Sequence, residues 1–186
     1  MNKHLRRTVI GGLAIGALVG GGLWIYYGHF YTPNFSVVQD GVLYRSGQPD
    51  LGDMRRLRDT YGIRTVVNLR REKEQDGREG PSIDEERAEV DRLGMRHIHM
   101  PLDGDKPVDP NAVARWLEIV QDKANAPVLV HCKQGVDRTG LMVAAFRKTI
   151  QGWSPERALA EAVEHRMDAG KKSPIKDYIL ACPSPK

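Results

Sequence analysis

Residues 128–140 read VLVHCKQGVDRTG, and within them a cysteine, a glycine and an arginine fall between an apolar run and a helix-forming one. Where a buried strand ends in a short loop, the loop amides can converge on one point, and the next helix aims its positive end there. That arrangement suits a tetrahedral dianion. Cys132 at the base of such a cradle lies in a field that favours its thiolate, so it is expected to be ionised near neutral pH. Arg138, six residues on, can curl back and grip two oxygens of one anion with its planar fork. Gly135 supplies the backbone freedom of a tight loop, and Thr139 a hydroxyl that can donate to the sulfur when it must leave. Lys133, Gln134, Val136 and Gly140 complete the set expected around the anion, with His131 orienting the loop by hydrogen bonding. The plain alternative is an inert buried thiol; Gly135 and Arg138 in register with Cys132 argue against it.

Such a loop needs a strand to stop and a helix to start at set places. PVLVH (127–131) is a run suited to a buried strand, and Thr139 to Gln151 reads as the helix that follows. Upstream, FSVVQDGVLYRS alternates and turns at Asp40-Gly41, a hairpin signal. Asp50 to Tyr61 reads as a helix ended by Gly62, and IRTVVNL as a second buried strand. The charged stretch REKEQDGREG is expected to be a solvated loop. Ser82-x-x-Glu85 is a capping box for a helix to Leu93, closed by Gly94. MRHIHMPL is a further strand leading into DGDKPVD, and Asp109-Pro110 opens a helix to about Lys123. Ser154 to about His165 and Pro174 to about Leu180 are two more helices. This alternation predicts an α/β fold with a central, mainly parallel sheet flanked by helices.

His131-Cys132-x5-Arg138-Thr139 resembles the active-site signature of the protein-tyrosine-phosphatase superfamily, and its surroundings resemble the small dual-specificity branch. LYRSGQP (43–49), IRTVVNLR (63–70) and PVLVHCKQGVDRTG followed by RKTIQGWS are together similar to the atypical dual-specificity phosphatases of bacteria, fungi and plants. The resemblance spans roughly residues 35–180. It implies the cysteine-phosphatase fold and a two-step hydrolysis of a phosphorylated protein or small molecule, with no metal or other cofactor. Cys132 attacks phosphorus to give a phosphocysteine, while Arg138 and the loop amides hold the transition-state charge. An aspartic acid protonates the leaving oxygen and then activates water. In the family that acid comes from the loop after the preceding strand, which here offers Asp103 and Asp105. Asp137, placed just before the arginine as in some phosphoinositide and bacterial relatives, is a third candidate, and spacing does not choose among them.

Two alternatives go with this reading. One is a phosphoinositide or inositol (pyro)phosphate phosphatase. Relatives of that kind tend to carry extra basic residues in the loop, whereas this loop has one lysine offset by Asp137, which lowers the expectation. The other is a non-catalytic phosphate-binding module, disfavoured because both the cysteine and the arginine are kept. Rhodanese-type sulfurtransferases commonly have a loop of different length without Arg-Thr-Gly.

Composition narrows the field. The chain has 186 residues, enough for one ordinary domain. Lys and Arg total 28 against 24 Asp and Glu, a net +4. Lys3, Arg6 and Arg7 all precede the first acidic residue, Asp40, so the remainder is close to balanced and a nucleic-acid partner is disfavoured. With 40% hydrophobic residues, intrinsic disorder is disfavoured as well. Two cysteines exclude a disulfide-dense scaffold and a four-Cys zinc site.

Residues 8–27, TVIGGLAIGALVGGGLWIYY, contain no charge and no proline. At about 1.5 Å per residue they reach about 30 Å, the thickness of a bilayer's hydrocarbon core. Trp24, Tyr26 and Tyr27 sit at one end, where aromatic rings favour the interface, and the basic residues lie before the run. Residues 1–7 are therefore expected to be a cytoplasmic basic leader, 8–27 a transmembrane signal-anchor, 28–35 a linker and 36–182 the catalytic domain. For a Gram-negative cell this means the inner membrane, with the domain facing the periplasm. A cleaved signal peptide is the competing reading; its apolar core is usually shorter, and no small-x-small cleavage site follows. Gly12, Gly16 and Gly20 form two Gly-x-x-x-Gly steps, a face on which two such helices can pair as a homodimer.

The remaining chemistry-bearing residues have bland readings beside sharp ones. Lys106 and Lys133 either meet an anionic substrate or are simply solvated. His97 and His99 share one strand face, but with no third ligand evident they read as a surface pair, not a metal site. Arg45 and Ser46 either support the site or end a strand. Trp116 and Trp153 read as packing residues. Cys182, near a Pro-rich end, is a tail thiol or a redox partner for Cys132.

Overall fold

The computed structural model describes residues 32–72 and 80–181. The expected leader, membrane span with Gly12, Gly16 and Gly20, half of the linker, most of the charged loop and Cys182 lie outside the described residues. Among the described residues no helix is long and apolar enough to cross a membrane.

Among the described residues, five strands form one sheet in the order β1-β2-β5-β3-β4: β1 (Ser36–Gln39), β2 (Leu43–Ser46), β3 (Thr65–Asn68), β4 (Arg96–His99) and β5 (Val128–His131). β1 and β2 form the antiparallel hairpin, and the other three neighbour pairs are parallel. The sheet is thus mixed but mainly parallel, as the alternation of elements predicts. β5 lies in the middle, flanked by β2 and β3, with Ser46, His131 and Asn68 in register at its carboxyl end. That end is where ligands bind in open α/β sheets.

Alternate residues of the central strands feed two cores, as period-2 strands covered on both faces must. Val66, Leu129 and Tyr44 pack with Met54, Leu57 and Val90 from helices α1 (Leu51–Tyr61) and α2 (Ile83–Arg92). Val67, Val128 and Val130 pack on the other face against α3 (Pro110–Gln121), α4 (Asp137–Gln151), α5 (Pro155–Glu164) and α6 (Pro174–Ala181). Trp116 is fully buried there and donates Nε1–H to the Met142 carbonyl at 2.8 Å. Trp153 packs between Arg147 and Arg157, whose guanidinium carbons lie 4.3 and 3.7 Å from its ring centre.

Local signals place the helices. Asp50 and Ser82 close capping boxes with Asp53 and Glu85, and Gly62 ends α1 in the left-handed region at φ 67°. The described part of the expected linker is integrated with the domain. Thr32 is buried, its Oγ1 accepts from Arg56 at 2.7 Å, and the Pro33 carbonyl accepts the Gly47 N–H at 2.6 Å. α4 starts at Asp137, two residues before the expected Thr139, so Arg138 belongs to its first turn.

Candidate active site

The loop 132–136 leaves the middle strand and ends at the amino terminus of α4. Val136 occupies the capping position, and no side chain caps the helix there. The first-turn amides of α4 are therefore left without a side-chain acceptor where an anion can use them. Cys132 is buried, and its Sγ accepts the Gly135 N–H at 3.3 Å. This amide, not the Thr139 hydroxyl, is the donor to sulfur; Thr139 is fully buried, and among the described residues its Oγ1 has no hydrogen-bond partner.

Gly135 is in the left-handed region at φ 71°, and a Cβ there would lie 2.4 Å from Gly47 N and 2.5 Å from the Ser46 carbonyl carbon. Glycine alone fits. Gly47 is nearly as tight, with a Cβ reaching 3.0 Å from the Gln134 carbonyl carbon. The Gln48 N–H then bonds the Lys133 carbonyl at 2.9 Å. The LYRSGQP segment is thus the wall against which the cysteine loop is folded.

Arg138 donates Nη1–H to the Leu69 carbonyl at 3.3 Å, which ties it to the end of β3. The loop carrying the acid candidates reaches the same side chain, since a Cβ on Gly104 would sit 3.9 Å from Arg138 Cγ. Asp103 pairs with Arg71 at 3.2 Å and Lys106 at 3.6 Å and accepts the Asp105 N–H at 3.1 Å. The Asp105 amide first, then the Arg71 and Lys106 charges, hold its carboxyl below the usual range. Lys106 thereby serves Asp103. Asp105 is exposed on that loop, and Asp137 is half-buried in the first turn of α4.

Lys133, Gln134 and Val136 line a cleft of about 270 Å³ beside the loop, together with Gln48, Arg70 and Arg166. Gly140 does not join them. Its N–H bonds the Val136 carbonyl within the helix at 2.7 Å, and a Cβ there would meet Met167 Cε at 3.0 Å. It is a packing glycine beneath α5.

Behind the loop lies Glu86, fully buried on α2. Its Oε1 is 3.0 Å from each of His131 Nε2, His97 Nε2 and Asn68 Nδ2, and its Oε2 accepts Gln48 Nε2–H at 2.7 Å. Burial would raise its carboxyl, but the His131 charge and the hydrogen bonds from His131, His97 and Gln48 outweigh it and hold the group far down. His131 thus orients the loop through a carboxylate. The reading of His97 and His99 as a surface pair is corrected: the His97 side chain is buried on Glu86, and His99 Nε2 bonds the Arg70 carbonyl at 2.8 Å.

Sequence reasoning missed Glu86, Arg70 and Arg166, as well as Asn34, whose amide donates to the Gly135 carbonyl at 2.8 Å. Gln48 and Arg70 stand inside segments that carry the resemblance. Glu86 looks like one more charge on an amphipathic helix, and Arg166 follows a helix end with no local signal.

With this geometry in hand, the comparisons decide the family. A family model described as "DSP-PTPase phosphatase fused to NAD+ Kinase" matches residues 31–178. The chain belongs to that phosphatase family. Among its relatives, the dual specificity protein phosphatase TpbA of Pseudomonas aeruginosa is 29% identical over 120 residues, 64% of this chain and 49% of TpbA. The inositol diphosphatase DSP5 of Arabidopsis thaliana is 33% identical over 133 residues, 69% of this chain and 60% of DSP5. The chain spans about half to three-fifths of the length of these relatives. The solved catalytic core of the PP-IP phosphatase SIW14 of S. cerevisiae, in complex with citrate, superposes with a TM-score of 0.66 at 25% identity, covering 80% of this chain and 85% of that one. A cysteine-to-serine form of TpbA in complex with pTyr superposes at 0.56 with 26% identity, covering 69% of this chain and 71% of that one. As a member of this phosphatase family, the domain has its Cys-x5-Arg loop between the middle strand and the helix.

Proposed function

We propose that this chain is a cysteine-dependent phosphomonoester hydrolase of the protein-tyrosine and dual-specificity type. The observation that carries the reading is Cys132 Sγ held by the Gly135 amide in front of an uncapped helix, with Arg138 in that helix's first turn. The Cys132 thiolate attacks phosphorus, and the bond to the leaving oxygen breaks as that oxygen takes a proton. Arg138 and the loop amides hold the charge on the three equatorial oxygens. Asp105 is the proton donor: it is exposed on the loop that reaches Arg138, whereas two cations and an amide keep Asp103 ionised. Deprotonated Asp105 then takes a proton from water, which breaks the sulfur–phosphorus bond and releases phosphate.

A second substrate reading has its own support. Arg70, Lys133 and Arg166 rim one cleft, so the site carries more positive charge than the loop sequence suggests, which suits a densely phosphorylated substrate such as the inositol diphosphates named for the plant relatives. A panel of phosphotyrosine and phosphoserine peptides, inositol phosphates and pyrophosphates, and lipid phosphates separates the readings, with Cys132→Ser as control. Turnover confined to the wild type is expected. Equal hydrolysis by both proteins overturns the catalytic reading, and phosphate binding without turnover leaves a binding module.

The same proposal places residues 8–27 across a membrane, with residues 1–7 in the cytoplasm and the catalytic domain on the extracytoplasmic side, and lets Gly12, Gly16 and Gly20 pair two such helices. Its support is the uncharged apolar run, its aromatic end and the basic residues before it.

A further inference from the structure

Arg45 lies on β2 opposite Val130 of the middle strand, and only 1% of it is exposed. Its Nη2–H donates to the Gly135 carbonyl at 2.7 Å, while among the described residues Nε and Nη1 have no hydrogen-bond partner. A Cβ on Gly140 would come 4.0 Å from Nη2, which places the guanidinium under the first turn of α4. A buried cation normally sits on a carboxylate. Here the carboxylate whose charge acts on it, Glu161, is engaged by the fork of Arg147, at 2.5 Å from Nη2 and 3.0 Å from Nε.

We propose that Arg45 is a positioning residue of the cysteine loop, a buried cation whose charge favours the Cys132 thiolate and whose hydrogen bond turns the 135–136 peptide inward. This rests on the phosphatase reading and deepens it. The peptide unit is planar and trans, so fixing its oxygen fixes the opposite direction of the next N–H. Arg45 and Asn34 both pull the Gly135 carbonyl outward, at 2.7 and 2.8 Å, so the Val136 N–H points toward the anion side of the loop. Asn34 itself is held at φ 50°, a left-handed conformation, and also donates to the His165 carbonyl at 3.3 Å. Such strain persists where surrounding contacts over-determine it.

The charged groups around Arg45 are Cys132 from the loop, Arg147 from α4, and Glu161 and His165 from α5 and its cap. Burial pulls the guanidinium down to about 10, Glu161 and Cys132 oppose that, and Arg147 adds to it. It still carries its charge at neutral pH. Burial, followed by the Arg45 charge, holds His165 below its ordinary value, so no imidazolium competes for the same carboxylate.

The test compares wild type, Arg45→Lys and Arg45→Met in a Cys182→Ser background, where Cys132 is the sole thiol. Iodoacetamide alkylation of Cys132 is followed against pH, with thermal melting recorded in parallel. Replacing a buried cation with an apolar chain of similar length removes its desolvation cost, and Asn34 still bonds the Gly135 carbonyl, so Arg45→Met is expected to melt no lower than wild type. Its alkylation midpoint is expected to move up by about one pH unit, a tenfold loss of rate on the acid side. Arg45→Lys keeps the wild-type midpoint. A wild-type midpoint in folded Arg45→Met overturns the proposal. Should that variant fail to fold, Arg45→Gln, which keeps a donor without the charge, is judged by the same two outcomes; failure of both to fold makes Arg45 a folding residue and overturns the proposal too. Alkylation needs no turnover, so this result stands apart from the substrate panel.

Discussion

Three aspartates were open for one proton at the sequence level, and their surroundings separate two of them. Asp103 is tied to Arg71, Lys106 and the Asp105 amide, a set that stabilises the ionised form an acid must leave. Asp105→Asn is therefore expected to lower kcat/KM by roughly 10²–10⁴ on an aryl phosphate with a poor leaving group, and far less on one with a good leaving group. Asp103→Asn should cost both substrates alike, through loop order. If Asp103→Asn or Asp137→Asn shows the leaving-group dependence instead, the proton belongs to that residue. Gly135 allows an equally sharp test. An added Cβ overlaps Gly47 and Ser46 backbone atoms at 2.4–2.6 Å, so Gly135→Ala is expected to cost about 1–3 kcal/mol of overpacking, read as a lower melting temperature. Activity should fall with it, because the displaced amide is the one on the Cys132 sulfur.

At the scale of elements, α2 matters beyond its packing. Its Glu86 joins β3, β4, β5 and the Gln48 segment through one buried carboxylate. A carboxyl held below its ordinary 4.5 contributes stability that is fully present above that pH and is lost as pH falls below it. His165, held below its ordinary 6.5, favours its neutral form in the fold, so stability also declines as pH drops below 6.5. The wild-type melting temperature is therefore expected to fall from about pH 6.5 downward. Glu86→Gln should melt lower at neutral pH, by an amount near the 3–5 kcal/mol of a broken buried pair, and should show a shallower decline below pH 4.5. A variant that melts like wild type at pH 7 would show that the carboxylate does not hold the strand ends together.

For the whole molecule, the membrane proposal predicts that full-length protein sediments with membranes and resists carbonate extraction. A version lacking residues 1–31 should be soluble and equally active per molecule. Gly16→Ile is expected to reduce self-association in a membrane reporter; unchanged association removes the glycine face as a pairing surface. Recovery of the full-length chain in the soluble fraction would dismiss the anchor.

Much of this protein was legible along the chain because its signals are local. Capping boxes, the Asp40-Gly41 turn and β-branched runs act within a few residues, so element order and a mainly parallel sheet follow from sequence. The cysteine, glycine and arginine are legible for the same reason: one strand end, one loop and one helix start hold them. Only tertiary structure brought Asn34 and Arg45 onto the Gly135 carbonyl, Glu86 behind His131, and Arg70 and Arg166 to the cleft. The contacts of Asn34, Arg45 and Glu86 join residues 45 to 101 positions apart, and no pattern in the sequence records which charge finds which partner once strands pair. It also placed Asp103 against Arg71 and Lys106, a pairing that spacing along the loop does not record.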